Sequence, residues 1–562
     1  MIRTLLFTLS LLPSVAMAVT IVTAKEIVTL DQHNSTASAI AIEGDRFVAI
    51  GDKAALMRRF PKAAVDEQFS NSVIVPGLIN QHDHPLLAAL MMDTEVIAIE
   101  DWEMPEQSYP AAVSPDQYRA RLSAALKHHS GGVFVTWGYH RLWHGEMSRQ
   151  LLDKLAHDIP VVVWQRSGHE FFFNSLAMQQ FGINAQTVSF LPKEATAQID
   201  LDRGHVWEQG ALAILPKLLP VLANPARYAP ALERIKQYWH RAGVTHVVEP
   251  GGLTFPWLME TQMQVLGQRG TPFRMDYILD AKILAQKNAM ETIASAGDAL
   301  VAEWGSENSR YYPKQVKMFS DGAIFSQLMQ MRDGYTDGHH GEWLTDPQKF
   351  KAMFETFWEA GYQIHIHQNG DQGLEFVLDV VADNMRRMPR KDHRTTIVHF
   401  GFSTPEQVKQ IADLGVIVSA NPYYPVALGE KYGEHGIGPE RSQQMVRLGD
   451  LQKADVSFSL HSDMPMAPGK PLFLMWCAVN RLDDAGSVIG PEQRISPLQA
   501  LRAVTIDAAY SLQREADMGT IEVGKLANLT ILSDNPLTVD PLTIKDIEVV
   551  ATVHEGTVYP LP

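Results

Sequence analysis

The 562-residue sequence predicts an α/β protein, a parallel (β/α)8 barrel with insertions beside a small β domain assembled from both termini. Three observations predict it. Strand-like runs cluster at the two ends of the chain. Strand, helix and strand alternate through the middle, the rhythm of a parallel sheet. The stretch between the terminal β segments, residues 76–510, is better filled by a barrel than by an open sheet.

The elements follow in order. Met1-Ile2-Arg3, an apolar run from Leu5 to Leu12, Pro13 and the triplet Ala16-Met17-Ala18 read as a secretory signal peptide over residues 1–18. The run is shorter than the ~20 residues that span a bilayer, so export to the periplasm is expected, with no stable membrane insertion after processing. From Val19 to Val73, short β runs (Ile21-Val22-Thr23, Ile27 to Leu30, Ala39 to Ile42, Arg46 to Ile50) are punctuated by turn residues. Thr520 to Val523, Asn528 to Leu532, Val549 to Val553 and Glu555 to Val558 look alike, so residues 19–75 and 511–562 are expected to form one β domain. Within the barrel region, Phe350 to Ala360 reads as helix, ended by Gly361. Tyr362 to His367 reads as strand, and Asp371 reads as the cap of the next helix, which runs through Arg386. Thr404-Pro405-Glu406-Gln407 is a capping-box helix start, Gly415 the stop, and Val416 to Ala420 the following strand. Residues 91–312 are too long for plain βα units and are expected to hold an insertion. Its aromatics (Trp102, Trp137, Tyr139, Trp143, Trp164, Trp207) suit a core, with some left to line a pocket.

Composition excludes several functions. Lys and Arg total 48 against 64 Asp and Glu, a net charge of −16. Nucleic-acid binding needs a basic face and is not expected. Cys477 is the single cysteine, which rules out an internal disulfide framework and any Cys-rich zinc or iron–sulfur site. A metal would have to use histidine and carboxylate.

Suitable residues fall at strand ends. After Val73-Ile74-Val75 comes Pro76-Gly77-Leu78-Ile79-Asn80-Gln81-His82-Asp83-His84-Pro85. In extended chain, residues two apart face the same way, so His82 and His84 converge as two metal ligands would; the alternative is a pair of solvent-facing loop histidines. His367 closes a strand before a helix, which puts it on the C-terminal rim where barrel enzymes keep their active sites. His365 faces alike but one pair deeper, as a core or supporting residue. His399 ends Thr395 to Val398, and Asp463 ends Val456 to Leu460. The spacings, 32 residues from His367 to His399 and 64 more to Asp463, suit one βα unit followed by two.

As a set these segments resemble the metal-dependent amidohydrolase superfamily, most closely its YtcJ-like branch (amidohydrolase family 3), over nearly all the chain after the leader. The resemblance rests on the His82-Asp83-His84 segment, Val316-Lys317-Met318-Phe319-Ser320-Asp321-Gly322, His367-Gln368-Asn369-Gly370-Asp371 and Leu460-His461-Ser462-Asp463-Met464-Pro465. Gly168-His169-Glu170 with Asn174-Ser175, and Gly519 to Ala527 near the C-terminus, add to it. Asn421-Pro422 stands where many relatives have Gln-Pro.

The resemblance implies a (β/α)8 barrel beside a small β-sandwich. It implies metal ligands at His82 and His84 on strand one, Lys317 on strand four, His367 on strand five, His399 on strand six and Asp463 on strand eight. It also implies a carboxylated Lys317 bridging two divalent ions; an unmodified ammonium has no lone pair for a cation. Without that modification a mononuclear site is the fallback. Imidazole and carboxylate suit zinc, one or two ions per chain, without excluding manganese, iron or nickel. The implied enzyme is a metal-dependent hydrolase of a non-peptide C–N bond in a small molecule. It would act through a metal-bound hydroxide, with Asp463 as general base and acid. His399, where not bound to metal, or His169 would stabilise the oxyanion, and His169 would contact substrate. Asp321 and Glu208 read as supporting residues. Alternatives are a cyclic amide, carbamate or ester substrate, a deaminase, or a catalytically silent metal-binding or regulatory protein. The intact ligand set argues against silence. Dimers are common among relatives, so a homodimer is compatible.

Overall fold

The computed structural model describes residues 18–252 and 255–561. The leader expected at the N-terminus falls on residues 1–17, outside the described residues. Among the described residues no helix is long and apolar enough to cross a membrane.

Eight strands run parallel in one curled sheet: β1 (Leu78–Asn80), β2 (Val244–Pro250), β3 (Arg274–Asp280), β4 (Ser309–Phe319), β5 (Gln363–Gln368), β6 (Thr396–His399), β7 (Ile417–Ala420) and β8 (Phe458–Leu460). They lie side by side in chain order. The curl brings the sheet's two edges together. The Asp463 N–H donates to the His82 carbonyl at 3.0 Å and the His84 N–H to the Met464 carbonyl at 3.0 Å. Every residue of β2, β5, β6, β7 and β8 is buried, as expected of a parallel sheet covered on both faces.

The helices form where the sequence marks them. Helix Pro347–Glu359 follows an Asp346 N-cap whose carboxylate accepts from two backbone N–H groups. Helix Pro405–Leu414 carries the full Thr404–Gln407 capping box and stops at Gly415, whose φ of 68° lies in the left-handed region. Helix Asp371–Arg387 differs in one respect. Its N-cap is Gly370, and Asp371 is its first residue. A Cβ at position 370 would sit 2.0 Å from the Gln330 carbonyl oxygen, so the cap must be glycine there.

The long excursion lies between β1 and β2. Six short strands (Glu95–Val96, Phe134–Tyr139, Val161–Gln165, Glu170–Phe173, Ile199–Asp200, His205–Trp207) make a second sheet in this segment. Trp102, Trp137, Trp164 and Tyr139 are buried in its packing.

The termini do meet. Strands Thr20–Val28, Thr36–Glu43, Arg46–Gly51, Ala64–Asp66 and Val73–Pro76 join Leu529–Leu532, Val549–His554 and Thr557–Pro560 in one eight-stranded sheet. Thr520 to Val523, expected as a strand, is irregular chain. Its backbone is used otherwise: the Ile521 N–H donates to the Thr29 carbonyl at 2.9 Å, and just past it the Gly524 N–H donates to the Phe47 carbonyl at 2.8 Å.

Candidate active site

The site is built at the C-terminal ends of these strands. His82 and His84 follow β1, and their ring centroids lie 5.1 Å apart. Both Nε2 atoms approach one oxygen, Asp463 Oδ1 just past β8, at 3.2 Å and 3.1 Å. The i, i+2 geometry of the extended segment thus does what it implies. His399 Nδ1, at the end of β6, lies 3.8 Å from the other oxygen of Asp463. The His367 ring is next, 4.5 Å from that of His399 and near-perpendicular to it. Lys317 belongs to the fourth strand, in register with Asp280 on β3 and His365 on β5. Lys317 lies two residues inside the end of β4, and His82 and His84 lie just past the end of β1.

Two of these residues strain the backbone. His399 has φ of 77° and Asp463 φ of 58°, left-handed values uncommon for side-chain-bearing residues. The surrounding hydrogen bonds hold them there. Asp83, fully buried between the two histidines, takes Ser462 Oγ–H and the Met464 N–H on Oδ1. On Oδ2 it takes Asn80 Nδ2–H at 2.7 Å and Trp239 Nε1–H at 2.9 Å. It ties the end of β1 to the loop carrying Asp463. Asn421 Nδ2–H donates to the Ser462 carbonyl at 3.1 Å, a positional duty for the Asn of Asn421-Pro422. Asp321 collects the N–H groups of Asn369, Gly370 and Gln330 at 2.7–3.1 Å, and so shapes the turn after His367.

Electrostatics separates the histidines. Burial, with the nearby Lys317 charge, holds His82, His367 and His461 well below the usual imidazole range, and His399 too, where the charge of His367 adds to burial. They are neutral donors of lone pairs, the form a metal requires. Burial opposes charge on His84 as well, but hydrogen bonds to Asp463 and Glu249 outweigh it and raise the ring to about 9. Burial pulls Lys317 down to about 7, against the attraction of Asp463 and Asp280. Its Nζ is buried without any hydrogen-bond partner. His365 sits below, against Gln315 Oε1 at 3.1 Å, and burial lowers it to about 3; it is the supporting residue expected.

The donor set suits a divalent cation. Ligand atoms of His82, His84 and Asp463 cluster within 4.8 Å of one another, and so do those of His82, His399 and His461. Lone pairs so close repel unless protons or a cation sit among them, and Lys317 Nζ, an orphan amine, lies buried in the same site. His461 was not singled out in the sequence. Its Nε2 lies 3.0 Å from His399 Nδ1 while its Nδ1 meets Ser419 Oγ at 2.7 Å. The signal was present, a second histidine two residues before Asp463, but its facing depends on the irregular chain after β8.

His169 comes from the excursion and faces the same space. Its ring stacks 6.0 Å from that of His367, and its Nδ1 lies 2.7 Å from Glu208 Oε2. Burial works against its charge, but Glu208 prevails and raises its pKa. Glu208 is buried, with φ of 41°, and its Oε1 accepts the Ala323 N–H at 3.1 Å. Glu249 on β2, also unforeseen, faces His84 Nδ1 at 3.4 Å. Asn174, by contrast, is a cap: its carbonyl oxygen accepts from Val161 and Ala177 N–H. A cavity of about 410 Å³ opens beside His84 and His169. Its aromatic lining is Phe171, Phe255 and Phe319; none of the tryptophans contributes.

Comparison with known proteins agrees with this geometry. The family described as Amidohydrolase family matches residues 70–559. The chain is 24% identical to N-substituted formamide deformylase of Arthrobacter pascens, over 94% of this chain and 96% of that protein. It is 20% identical to putative amidohydrolase YtcJ of Bacillus subtilis, over 95% and 97%. Its fold is similar to that of an uncharacterized metal-dependent hydrolase from Pyrococcus horikoshii, with a TM-score of 0.71 at 18% identity, covering 93% of this chain and 99% of that one. With a family match spanning the curled sheet and its strand-end histidines, the chain belongs to the amidohydrolase family, metal-dependent hydrolases of carbon–nitrogen bonds other than peptide bonds.

Proposed function

We propose that this protein hydrolyses a small-molecule amide, using zinc held by His82, His84, His367, His399 and Asp463, with Lys317 joining them only once carboxylated, when two ions are bound. The observation that carries the proposal is the convergence of His82 and His84 on one oxygen of Asp463, with the unpartnered Lys317 amine buried in the same site. A buried amine brought down to about 7 is uncharged in an appreciable fraction near neutral pH, the form that can react with carbon dioxide. When bound, the metal supplies Lewis-acid chemistry to water and to the amide carbonyl.

The chain's own residues do the rest. Asp463, with an oxygen facing each side of the site, takes the proton of the attacking water and returns it to the leaving nitrogen. Asp83 and Asn421 hold its loop so that the carboxylate need not reorganise. His169, whose protonated form Glu208 favours, stands where it can hydrogen-bond the developing oxyanion.

The proposal extends to organisation. We read the curled sheet as a closed (β/α)8 barrel over residues 76–510, its seam the Asp463-to-His82 bond. The terminal sheet reads as a folded-over sandwich, because Ile40, Ile42, Ile531 and Val553 share one apolar cluster. Export to the periplasm remains part of the reading on the strength of the leader sequence.

The test is elemental analysis of the mature protein beside Lys317→Ala, both purified with bicarbonate, followed by assay on N-formyl and N-acyl amines. About two metals per chain, falling in the variant, with amide hydrolysis, is expected. About one metal, unchanged in the variant, would remove Lys317 from the site. No bound metal in the wild type would overturn the proposal.

A further inference from the structure

One helix links the polar end of the site to the cavity beside it. Helix Glu208–Leu222 begins with the residue that orients His169. Along the same stripe, at i, i+4, i+7 and i+8, come Leu212, Leu215 and Pro216, all three lining the cavity with Glu208. A second stripe turned away from it, Gly210, Ile214 and Leu218, is buried in the core. A helix that needed only to pack would carry polar residues on its outer face. This one instead leaves Leu212 at 45% exposure. Leu87, Phe171 and Phe319 also line the cavity. Of the charged groups in the lining, His84, His169, Glu208, Glu249 and Asp280 belong to the reacting end or its immediate support, and Lys282 is engaged with Gln209 Oε1 at 2.7 Å and the Leu344 carbonyl at 3.0 Å; Lys287, with Gln286 beside it, is exposed at the solvent side.

We infer that the substrate is a monoamide bearing one large apolar arm, and that Leu212 and Leu215 are specificity-determining residues which grip that arm while Glu208, on the same helix, sets His169 at the carbonyl. The inference rests on the amide-hydrolase reading above. The cavity's volume, about 410 Å³, is at the small end of ligand pockets and matches a single alkyl or phenylalkyl arm better than a polymer. An apolar wall rewards each buried methylene by about 0.8 kcal/mol, roughly fourfold in affinity, and Leu212, Leu215, Phe171 and Phe319 offer a hydroxyl carried on the arm no partner.

The test uses two series of inert amide mimics on the metal-loaded full-length protein. N-alkyl methanesulfonamides carry the arm on nitrogen and alkanesulfonamides carry it on sulfur, each from methyl to hexyl, with hydroxyl-tipped controls. Binding is read by calorimetry, so the result does not depend on turnover. Affinity in one series should rise roughly fourfold per methylene until the cavity fills, and the hydroxyl tip should cancel that gain. Leu212→Glu, at an exposed position, should flatten the slope, and Leu215→Asn should flatten it independently; thermal unfolding verifies that each variant is folded. A flat series in both orientations, or a slope unchanged in both variants, would overturn the inference. A steep slope in a protein that hydrolyses no amide would sink the amide-hydrolase reading and leave the apolar pocket standing.

Discussion

Asp83 illustrates how much one buried carboxylate can organise. Its four hydrogen bonds join β1, the Asp463 loop and Trp239, and burial pushes its own pKa up to about 6. Asp83→Asn turns one oxygen into a donor facing Ser462 or Trp239. A loss of roughly 1–3 kcal/mol in denaturant unfolding is expected, as for other buried groups left unsatisfied; an unchanged midpoint would contradict the tie. Glu208 acts by charge instead. In Glu208→Gln the His169 ring loses the partner that raises it, so the protonated form should persist only to lower pH. The alkaline limb of kcat/KM should then move to lower pH, with a drop of roughly 100-fold at neutral pH if the ring donates to the oxyanion. A simple rise in KM with an unmoved pH profile would make His169 a packing residue. Asp276, at the far end of the strands, tests stability without chemistry. Burial opposes its ionisation, but His246 and Arg274 outweigh burial and lower it to about 2. A depressed carboxylate pKa adds stability above the unfolded value near 4, lost as pH falls through the folded value. The gap between wild type and Asp276→Asn should therefore narrow by about 2 kcal/mol between pH 5 and pH 2.5 in chemical denaturation.

At the scale of elements, local chemistry and tertiary demand agree where the signal is short-ranged. Thr404, Gln407 and Gly415 specify a helix by themselves, since cap and stop are contacts within four residues. Thr404→Ala should cost about 1 kcal/mol in thermal or denaturant unfolding, and no loss would mean that packing alone holds that helix. Signals failed where a run of β-prone residues is consumed by another partner. Thr520 to Val523 has the composition of a strand, yet its Ile521 N–H goes to the Thr29 carbonyl and its Glu522 carbonyl to the Lys525 N–H, so no ladder forms. The helix Glu208–Leu222 carries two internal prolines, Pro216 and Pro220, which sequence rules alone would treat as breaks. Burial of Ile214, Leu218 and Leu219 keeps it helical.

For the whole molecule, the metal site is the place where distant segments are joined. His82 and Asp463 are far apart in the chain and yet share an oxygen contact of 3.2 Å across the sheet's seam. A cation there would cross-link the two edges of the sheet. Removing metal with a chelator should lower Tm and restoring it should raise Tm again, by the mass-action gain of a ligand bound to the native state alone. Metal affinity should also fall as pH drops, because a proton on His84 or its neighbours competes for the same lone pairs. A Tm indifferent to chelation in a metal-containing preparation would mean that the ion does not bridge the edges.

The sequence by itself pointed to histidine and carboxylate at the strand ends and to their order, His82 and His84 first, then His367, His399 and Asp463; Lys317 was implied by the family resemblance alone. Period-two facing and βα spacing are local properties, and locality makes them readable. Only the tertiary structure decided which groups support that set. Asp83, Glu249 and His461 reach their partners across tens or hundreds of residues, through loops whose course no periodicity describes, and the pairing of Glu208 with His169 spans 39 residues. It also decided that the aromatic lining would be phenylalanine and that a helix from the excursion would wall the cavity. Those outcomes depend on how the excursion between β1 and β2 packs back onto the curled sheet, and packing is a sum over contacts that no short window of sequence contains.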